Sequence, residues 1–200
     1  MSGNYHRITR KPKKTQQIGV INMGVVVVTG VQGVGKSTVM SAAEEYGYKI
    51  VNFGTTMFEE AQKEGVADRD NMRKLVREDQ QRLQKQAGEK ISGMGNVVVD
   101  THASILTPSG YMPGLPEWTV RALNPDIIVL VEATPEEIEG RRNKDSSRVR
   151  DSDNIGLHQS VNREYAAVAA VMTGSTVAIV ENHDNQVDIA VEQFRKILGK

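Results

Sequence analysis

The chain has 200 residues, the size of a single domain, and a chain of this length buries about 70% of its unfolded surface on folding. It contains no cysteine, which excludes disulfides, thiolate nucleophiles and cysteine-ligated zinc or iron–sulfur centres. The 25 Lys and Arg residues balance 25 Asp and Glu residues, and 38% of the chain is hydrophobic, a composition typical of a globular protein and not of a strongly basic nucleic-acid-binding body.

The first 22 residues form a basic segment without an acidic side chain. They contain 5 of the 25 basic residues, so residues 23–200 carry 20 basic and 25 acidic side chains, a net charge of −5. We expect residues 1–22 to be a disordered extension, or one added to the natural chain, and residues 23–200 to form the domain. An arm that contacts RNA or a membrane surface is the alternative.

The location of the protein is predicted from what the sequence lacks. No apolar run is long enough to span a bilayer, and the N-terminal residues have no apolar region of the kind found in secretory signals. With the absence of cysteine, these features predict a cytoplasmic protein that has no membrane partner and no nucleic acid bound to its core.

Strand-like and helix-like stretches alternate along the domain. Short apolar runs such as N-V-V-V-D (96–100) are typical of strands in a parallel sheet that is buried on both faces. The predicted elements in chain order are strand Gly24–Thr29, helix Lys36–Tyr46, strand Tyr48–Phe53, helix Asp70–Ala87 with a buried stripe of Met72, Val76, Leu83 and Ala87, strand Asn96–Asp100, strand Asp126–Glu132, helix Pro135–Arg142, helix Ile155–Met172, strand Thr176–Glu181 and helix Gln186–Leu198. This alternation predicts an α/β fold, a five-stranded parallel sheet with helices on both faces.

A phosphate-binding loop lies between the first strand and the first helix. The run G-V-Q-G-V-G-K-S (30–37) matches G-x-x-x-x-G-K-[ST], a pattern whose glycines let backbone N–H groups converge on phosphate oxygens at a helix N-terminus. We predict that Lys36 neutralises β- and γ-phosphate charge, that Ser37 contacts Mg²⁺ and that Thr38 reaches the α-phosphate. The predicted nucleotide-binding residues are Gly30, Val31, Gln32, Gly33, Val34, Gly35, Lys36, Ser37 and Thr38.

Asp100 ends the third predicted strand. In a parallel sheet its carboxylate lies near the phosphate loop, where it suits the coordination shell of a magnesium ion bound with the nucleotide. The alternative is a polar residue that only marks a strand end. Because the phosphate loop precedes it, we predict Ser37 and Asp100 as the metal-binding residues.

Several cations follow in the segment D-R-D-N-M-R-K-L-V-R (68–77). Arginine pairs bidentately with phosphate, so a helix that packs beside the sheet can present one to an acceptor. We predict this role for Arg73 ahead of Arg69. For the other charges an exposed helix with ion pairs is the better interpretation.

Residues 101–116 directly follow Asp100, at the strand end where ligands bind in parallel sheets. Three prolines and two glycines between Pro108 and Pro116 predict a fixed loop that can hold a second substrate. His102 by itself is more typical of a structural hydrogen-bonding residue than of a general base.

Residues 141–150 contain five cations and one acid, between one predicted helix and the next. Such a segment predicts a mobile lid that closes over the triphosphate and supplies positive charge in the transition state. The alternative is a solvated helix end, where the helix dipole favours cations.

Six sequence blocks together resemble one family. They are G-V-Q-G-V-G-K-S-T (30–38), N-F-G-T-T-M-F-E (52–59), D-R-D-N-M-R-K-L (68–75), V-D-T-H-A-S-I-L-T-P-S-G-Y-M-P-G-L-P (99–116), N-P-D-I-I-V-L-V-E-A (124–133) and R-V-R-D (148–151). On these blocks, residues 23–200 resemble the archaeal-type adenylate kinases. The resemblance implies a three-layer P-loop kinase fold, with a helical AMP-binding region over about residues 53–92 and a short lid over about residues 141–154. It also implies a trimer that uses Mg²⁺ and converts ATP and AMP reversibly into two ADP.

The resemblance further implies roles for individual residues. The catalytic residues would be Lys36, Arg142, Arg148 and Arg150, and Arg141 would join the loop in binding ATP. The AMP site would contain Gly54, Thr55, Arg73, Thr101, His102 and Tyr111. The family pattern has Arg or Lys at position 106, where this chain has Leu106, so one cation of the AMP site would be missing.

Two alternatives remain open at this point. The first is a kinase for another nucleoside monophosphate or a metabolite, which the block 99–116 does not support. The second is an ATP-dependent interaction or ribosome-assembly factor with an adenylate-kinase-like fold. Only the basic segment 1–22 favours that second alternative.

Overall fold

The computed structural model describes residues 24–144 and 154–199. Within them the strands, in chain order, are β1 (Val25–Thr29), β2 (Lys49–Asn52), β3 (Val97–Asp100), β4 (Ser104–Thr107), β5 (Gly110–Pro113), β6 (Ile127–Glu132) and β7 (Thr176–Glu181). A parallel five-stranded sheet has the order β2-β3-β1-β6-β7, and β4 and β5 form an antiparallel hairpin. The predicted parallel sheet is confirmed, and each predicted strand is found to within one residue at either end.

Helices pack on both faces of the sheet. They are α1 (Lys36–Met40), which continues as a 3₁₀ helix over Ser41–Tyr46, α2 (Phe53–Lys63), α3 (Arg69–Arg73), α4 (Arg77–Ser92), α5 (Glu117–Leu123), α6 (Pro135–Lys144), α7 (Ile155–Thr173) and α8 (Val187–Leu198). Alternate residues of β1 point to opposite faces, so Val27 joins a buried cluster with Leu83 of α4, whereas Val28 joins a second cluster with Phe194 of α8. The fold therefore has the three layers that the sequence predicts.

One predicted helix is wrong. The sequence predicts a single helix over Asp70–Ala87, but the chain forms α3 and α4 with a break at residues 74–76. In a continuous helix, the main-chain carbonyls of Arg73 and Leu75 would accept hydrogen bonds from main-chain N–H groups. Here Nε2 of Gln80 donates to both carbonyls instead (3.0 and 2.8 Å), which explains the break. Val76 precedes α4 and is 62% exposed, so it does not belong to the buried stripe.

The segment after β3 also differs from the prediction. It contains the β4–β5 hairpin, joined at Pro108 and Ser109, where the sequence predicts a fixed loop. The separate helices α2 and α5 are not among the predicted elements, and only the first five residues of the predicted helix Lys36–Tyr46 are α-helical.

Two predicted segments extend beyond the described residues. The basic extension over residues 1–22 lies wholly outside them, as do residues 145–153 of the lid. The lid residues 141–144 form the end of α6, and Asn154 caps α7. Across residues 24–144 and 154–199, no helix has both the length and the apolar character needed to cross a membrane.

Candidate nucleotide-binding site

The predicted site residues meet at the carboxyl edge of the sheet. The phosphate loop leaves β1, Asp100 ends β3 and Asn52 ends β2. The strand register pairs Asp100 with Val28 on one side and with Asn52 on the other. The sheet thereby places Asp100 on the strand next to the phosphate loop and Asn52 one strand further out, at the edge where parallel sheets bind ligands.

The glycines of the loop are required by its geometry. Gly35 precedes α1 with φ 91°, a left-handed backbone conformation that residues with a Cβ adopt at a cost. A Cβ on Gly35 would also overlap Nδ2 of Asn182, and a Cβ on Gly33 (φ 86°) would lie 2.9 Å from Cγ of Arg142. The loop is therefore closely packed against two neighbouring segments.

The side chains of the loop divide between the core and the site. Val31 and Val34 are buried in the core, so only their backbone groups can contact a nucleotide. Gln32, Ser37 and Thr38 are exposed, which leaves the two hydroxyls free to face phosphate and metal.

Lys36 lies at the centre of the site with little contact to solvent. Its Nζ is 3.3 Å from the carbonyl oxygen of Gly30 and 3.6 Å from Oδ1 of Asp100, and its side chain is 12% exposed. Burial lowers the pKa of the Lys36 ammonium, and the Asp100 carboxylate partly opposes that shift. A bound phosphate would supply further negative charge and favour the protonated lysine.

Arg141 and Arg142 reach the phosphate loop from the end of α6. Arg141 donates from Nη1 to the carbonyl of Val34 (3.1 Å) and from Nη2 to the carbonyl of Asn182 (2.7 Å), and its guanidinium pairs with Asp184. Arg142 donates from Nε to the carbonyl of Gln32 (2.8 Å). The structure thus brings these two predicted residues to the loop, whereas Arg148 and Arg150 lie outside the described residues.

Asn182 is a residue at this loop that sequence reasoning missed. It follows β7 directly, is buried, and donates from Nδ2 to the carbonyl of Val34 (2.8 Å). A polar residue just after an apolar strand is the same signal that identifies Asp100, but no motif separates Asn182 from its polar neighbours in the sequence.

On the β2 side of the site, Arg69 contacts Thr55 and Phe58, whereas Arg73 pairs with Asp70. Nη2 of Arg69 donates to Oγ1 of Thr55 (2.9 Å), and its guanidinium lies over the ring of Phe58. Gly54 lies next to this guanidinium, since a Cβ there would be 3.6 Å from Nη1 of Arg69. The side chain of Arg73 is 73% exposed, and its ion pair with Asp70 is 2.9 Å long.

Three further predicted residues follow β3. Thr101 is buried, and its N–H donates to the carbonyl of Val28 (3.1 Å). Burial, together with the nearby charge of Lys36, lowers the pKa of His102 to about 4, so its imidazole is neutral at pH 7. Tyr111 of β5 lies with its ring centroid 4.9 Å from that of His158 in α7, which connects the hairpin to that helix.

Comparisons with known proteins identify the family. The adenylate kinase of Methanocaldococcus jannaschii is 51% identical, with 87% of this chain and 97% of that protein covered. The adenylate kinase of Thermoplasma volcanium is 48% identical, with 86% and 98% covered. The chain belongs to the archaeal adenylate kinase family. The resemblance carried by the six sequence blocks is therefore confirmed.

Broader comparisons agree with the fold of this family. A protein-family model described as an AAA domain matches residues 29–157, which include the phosphate loop. A shikimate kinase from Bacteroides thetaiotaomicron has a TM-score of 0.56 at 15% identity, covering 89% of this chain and 99% of its own. A gluconokinase from Sinorhizobium meliloti has a TM-score of 0.51 at 19% identity, covering 88% and 91%. At such low identity these similarities confirm the P-loop kinase fold alone.

Proposed function

We propose that this chain catalyses the reversible transfer of the γ-phosphoryl group of ATP–Mg²⁺ to AMP, giving two ADP, and thereby balances the adenine nucleotides of the cell. The observation that carries the proposal is the identity of about half of all aligned residues with adenylate kinases over nearly their whole length. The site geometry supports it, because the phosphate loop, Lys36 and Asp100 lie together at one edge of the sheet. Neither a ribosome-assembly role nor a kinase for another nucleoside monophosphate is favoured by these relatives.

The phosphate loop would bind the phosphates of ATP. Its N–H groups at the start of α1 suit phosphate oxygens, and Lys36 would move from Asp100 towards the β- and γ-phosphates when ATP binds. Arg141 would bind ATP from α6, whose end already contacts the loop. Arg142, with Arg148 and Arg150 from the closing lid, would stabilise the charge of the transferring phosphoryl group.

Ser37 and Asp100 fit a magnesium ion bound with the nucleotide. Mg²⁺ prefers oxygen ligands and in kinases is held by one or two carboxylates with substrate phosphates and water. The exposed hydroxyl of Ser37 and the carboxylate of Asp100 are oxygen donors of this kind beside the phosphate loop. The ion would neutralise phosphate charge, and both residues would keep it in place.

AMP would bind on the β2 side of Asp100, among Gly54, Thr55, Thr101, His102 and Tyr111. Arg73 is the predicted partner of its phosphate, and Arg69 is the cation nearer to Thr55 in this conformation. A phosphate bound there would attract both arginines, since guanidinium groups pair bidentately with phosphate.

The transfer needs orientation more than covalent chemistry from the protein. A phosphate oxygen of AMP would attack the γ-phosphorus in line, and the bond to the β-phosphate oxygen would break as ADP leaves. The attacking oxygen is already ionised, so no general base is required. His102, whose pKa is lowered to about 4, would be a poor proton acceptor at neutral pH, and the reaction does not require one.

In the cell the protein would act in the cytoplasm as a homo-oligomer, and the family resemblance favours a trimer. Exposed apolar side chains on α7 and on the hairpin support association, among them Val171, which is 86% exposed, and the cross-strand pair Ile105 and Met112. Sedimentation equilibrium measures this directly. A monomer across the working concentration range would contradict it.

The direct test of the function is a panel of acceptors. The protein is incubated with ATP and Mg²⁺ and with AMP, GMP, CMP or UMP in turn, and the products are separated. We expect ADP to form rapidly with AMP and the other monophosphates to react slowly. Transfer to another monophosphate but not to AMP would contradict the proposal, as would binding of ATP with no transfer at all.

A further inference from the structure

Asn52 connects the two halves of the proposed site. It is the last residue of β2 and the N-cap of α2. The register of β2 and β3 places it directly beside Asp100. Sequence reasoning places it in a predicted strand and at the start of the block N-F-G-T-T-M-F-E (52–59), but assigns it no role in the site.

Both ends of the Asn52 amide are engaged. Oδ1 accepts hydrogen bonds from the main-chain N–H of Thr55 (3.0 Å) and from its hydroxyl (3.1 Å), while Nδ2 donates to Oδ2 of Asp100 (3.1 Å). The opposite amide orientation would set its NH₂ group against the N–H of Thr55 and its oxygen against a carboxylate. The neighbours therefore fix the orientation of the amide.

From Arg69 to Asp100 the hydrogen bonds all run in one direction, and an ion pair with Lys36 continues the run beyond Asp100. Arg69 donates to Oγ1 of Thr55 (2.9 Å), and the single hydroxyl proton of Thr55 goes to Asn52. On the other side of Asn52, the second oxygen of Asp100 is 3.6 Å from Nζ of Lys36. We call this run the Asn52 relay, and its members are Arg69, Thr55, Asn52, Asp100 and Lys36.

We propose that Asn52 is a positioning residue that couples the AMP side of the site to the ATP side. This inference rests on the proposed function, since it concerns how the two substrates are aligned. Asn52 fixes the rotation of the Asp100 carboxylate and holds Thr55, and through Thr55 it holds the guanidinium of Arg69. In-line transfer depends on precise alignment of the two substrates, so a small misplacement of a supporting side chain lowers turnover strongly.

The substitution Asn52→Ser separates this role from helix capping. Serine caps helices about as well as asparagine, but its side chain is too short to reach Asp100. We expect the melting temperature to stay close to that of the parent, whereas kcat for ADP formation falls about 10-fold, as for the loss of one hydrogen bond to a charged group. A residue that only caps α2 would leave kcat unchanged in this variant, and that result would overturn the proposal.

A double-substitution experiment tests the coupling itself. Arg69→Ala should raise KM for AMP in the parent, and should raise it by a smaller factor in the Asn52→Ser background, because the relay is already broken there. Equal factors in both backgrounds would contradict a relay. Asn96→Ser, at the other end of β3 from Asp100, is the matched control and should change neither kcat nor KM.

A second variant, Asn52→Asp, and an assay of the parent enzyme complete the test. Asn52→Asp keeps the length and the cap but lacks the N–H donor, so it should lose turnover even if Asn52→Ser is unstable. Unchanged kcat in Asn52→Asp would overturn the proposal. The parent enzyme is assayed alongside: failure of the parent to form ADP from AMP rejects the proposed function, whereas an active parent with fully active Asn52 variants rejects only the positioning role.

Discussion

At the residue scale, the proposed transfer depends first on Lys36. Its ammonium is held at the carbonyl of Gly30 and near Asp100, inside the loop that would surround the phosphates. Lys36→Met keeps a side chain of similar length without the charge. We expect a folded variant whose transfer falls by about 100-fold or more in both directions, as when one stabilising group is removed from a transition state.

Initial rates in both directions and a thermal melt measure this effect. The melt establishes that the variant is folded, so that a fall in rate can be attributed to the loss of the Lys36 charge. Near-normal ADP formation by Lys36→Met would show that the phosphate loop is not the catalytic site.

Leu106 is the second residue with a specific expectation. It pairs with Tyr111 across the hairpin and is 40% exposed, so a longer side chain can be accommodated. If the missing cation is a missing phosphate contact, Leu106→Arg should tighten AMP binding by about 10-fold or more.

The matched control is Ile105→Arg. Residue 105 is also exposed but points to the opposite face of the hairpin, so an arginine there should leave AMP affinity unchanged. Titration calorimetry with AMP measures both variants. Unchanged or weaker AMP binding by a folded Leu106→Arg variant would mean that the cation is not a missing contact.

At the scale of elements, α6 is fixed at both ends. At its start, Glu137 accepts from the N–H of Thr134 (2.9 Å) and from the N–H of Asp184 (2.8 Å), and it pairs with His183 (2.9 Å). At its end, Arg141 binds the carbonyl of Val34. The segment after β7 thus helps to hold the helix that approaches the phosphate loop.

The pair of His183 and Glu137 makes stability depend on pH. The carboxylates of Glu137 and then Glu181 raise the pKa of His183, and hydrogen bonds from His183 and two backbone N–H groups lower the pKa of Glu137 to about 2. The contribution of His183 is present below its unfolded pKa of 6.5 and is lost as pH rises through the folded pKa. The contribution of Glu137 is present above 4.5 and is lost as pH falls towards about 2.

The expected result is a difference in unfolding free energy between the parent and His183→Gln that depends on pH. It should be about 0.5–1 kcal/mol near pH 5.5, the range of a partly exposed ion pair, and should shrink at higher pH as His183 loses its proton. Urea denaturation at several pH values measures it. A difference in unfolding free energy that grows as pH rises would contradict this prediction.

Some elements could be predicted from the sequence and others could not. The five sheet strands are predictable because strands buried on both faces are apolar throughout. The phosphate loop is predictable because its backbone conformation requires glycine at fixed positions. The break between α3 and α4 is not, since it depends on Gln80 bonding two carbonyls. The hydrogen bond of Arg69 to Thr55 and the contact of Asn182 with Val34 arise only when distant segments pack together.

At the scale of the whole molecule, we expect residues 1–22 to be dispensable for the domain. The segment is basic and has no apolar periodicity, so it has no apolar face to pack against the domain. Deletion of residues 1–22 should leave kcat and the melting temperature essentially unchanged. A large fall in either would show that the segment packs on the domain, and a loss of RNA binding alone would identify it as an appended arm.

The most direct measurement of the central claim uses ADP as the only nucleotide. A phosphoryl transfer between two adenine nucleotides must run backwards, so the protein with ADP and Mg²⁺ should form ATP and AMP in equal amounts, and Lys36→Met should form neither at a comparable rate. An ATPase or a kinase for another acceptor has no route from ADP alone to ATP. Failure of the parent protein to form ATP from ADP would contradict the account.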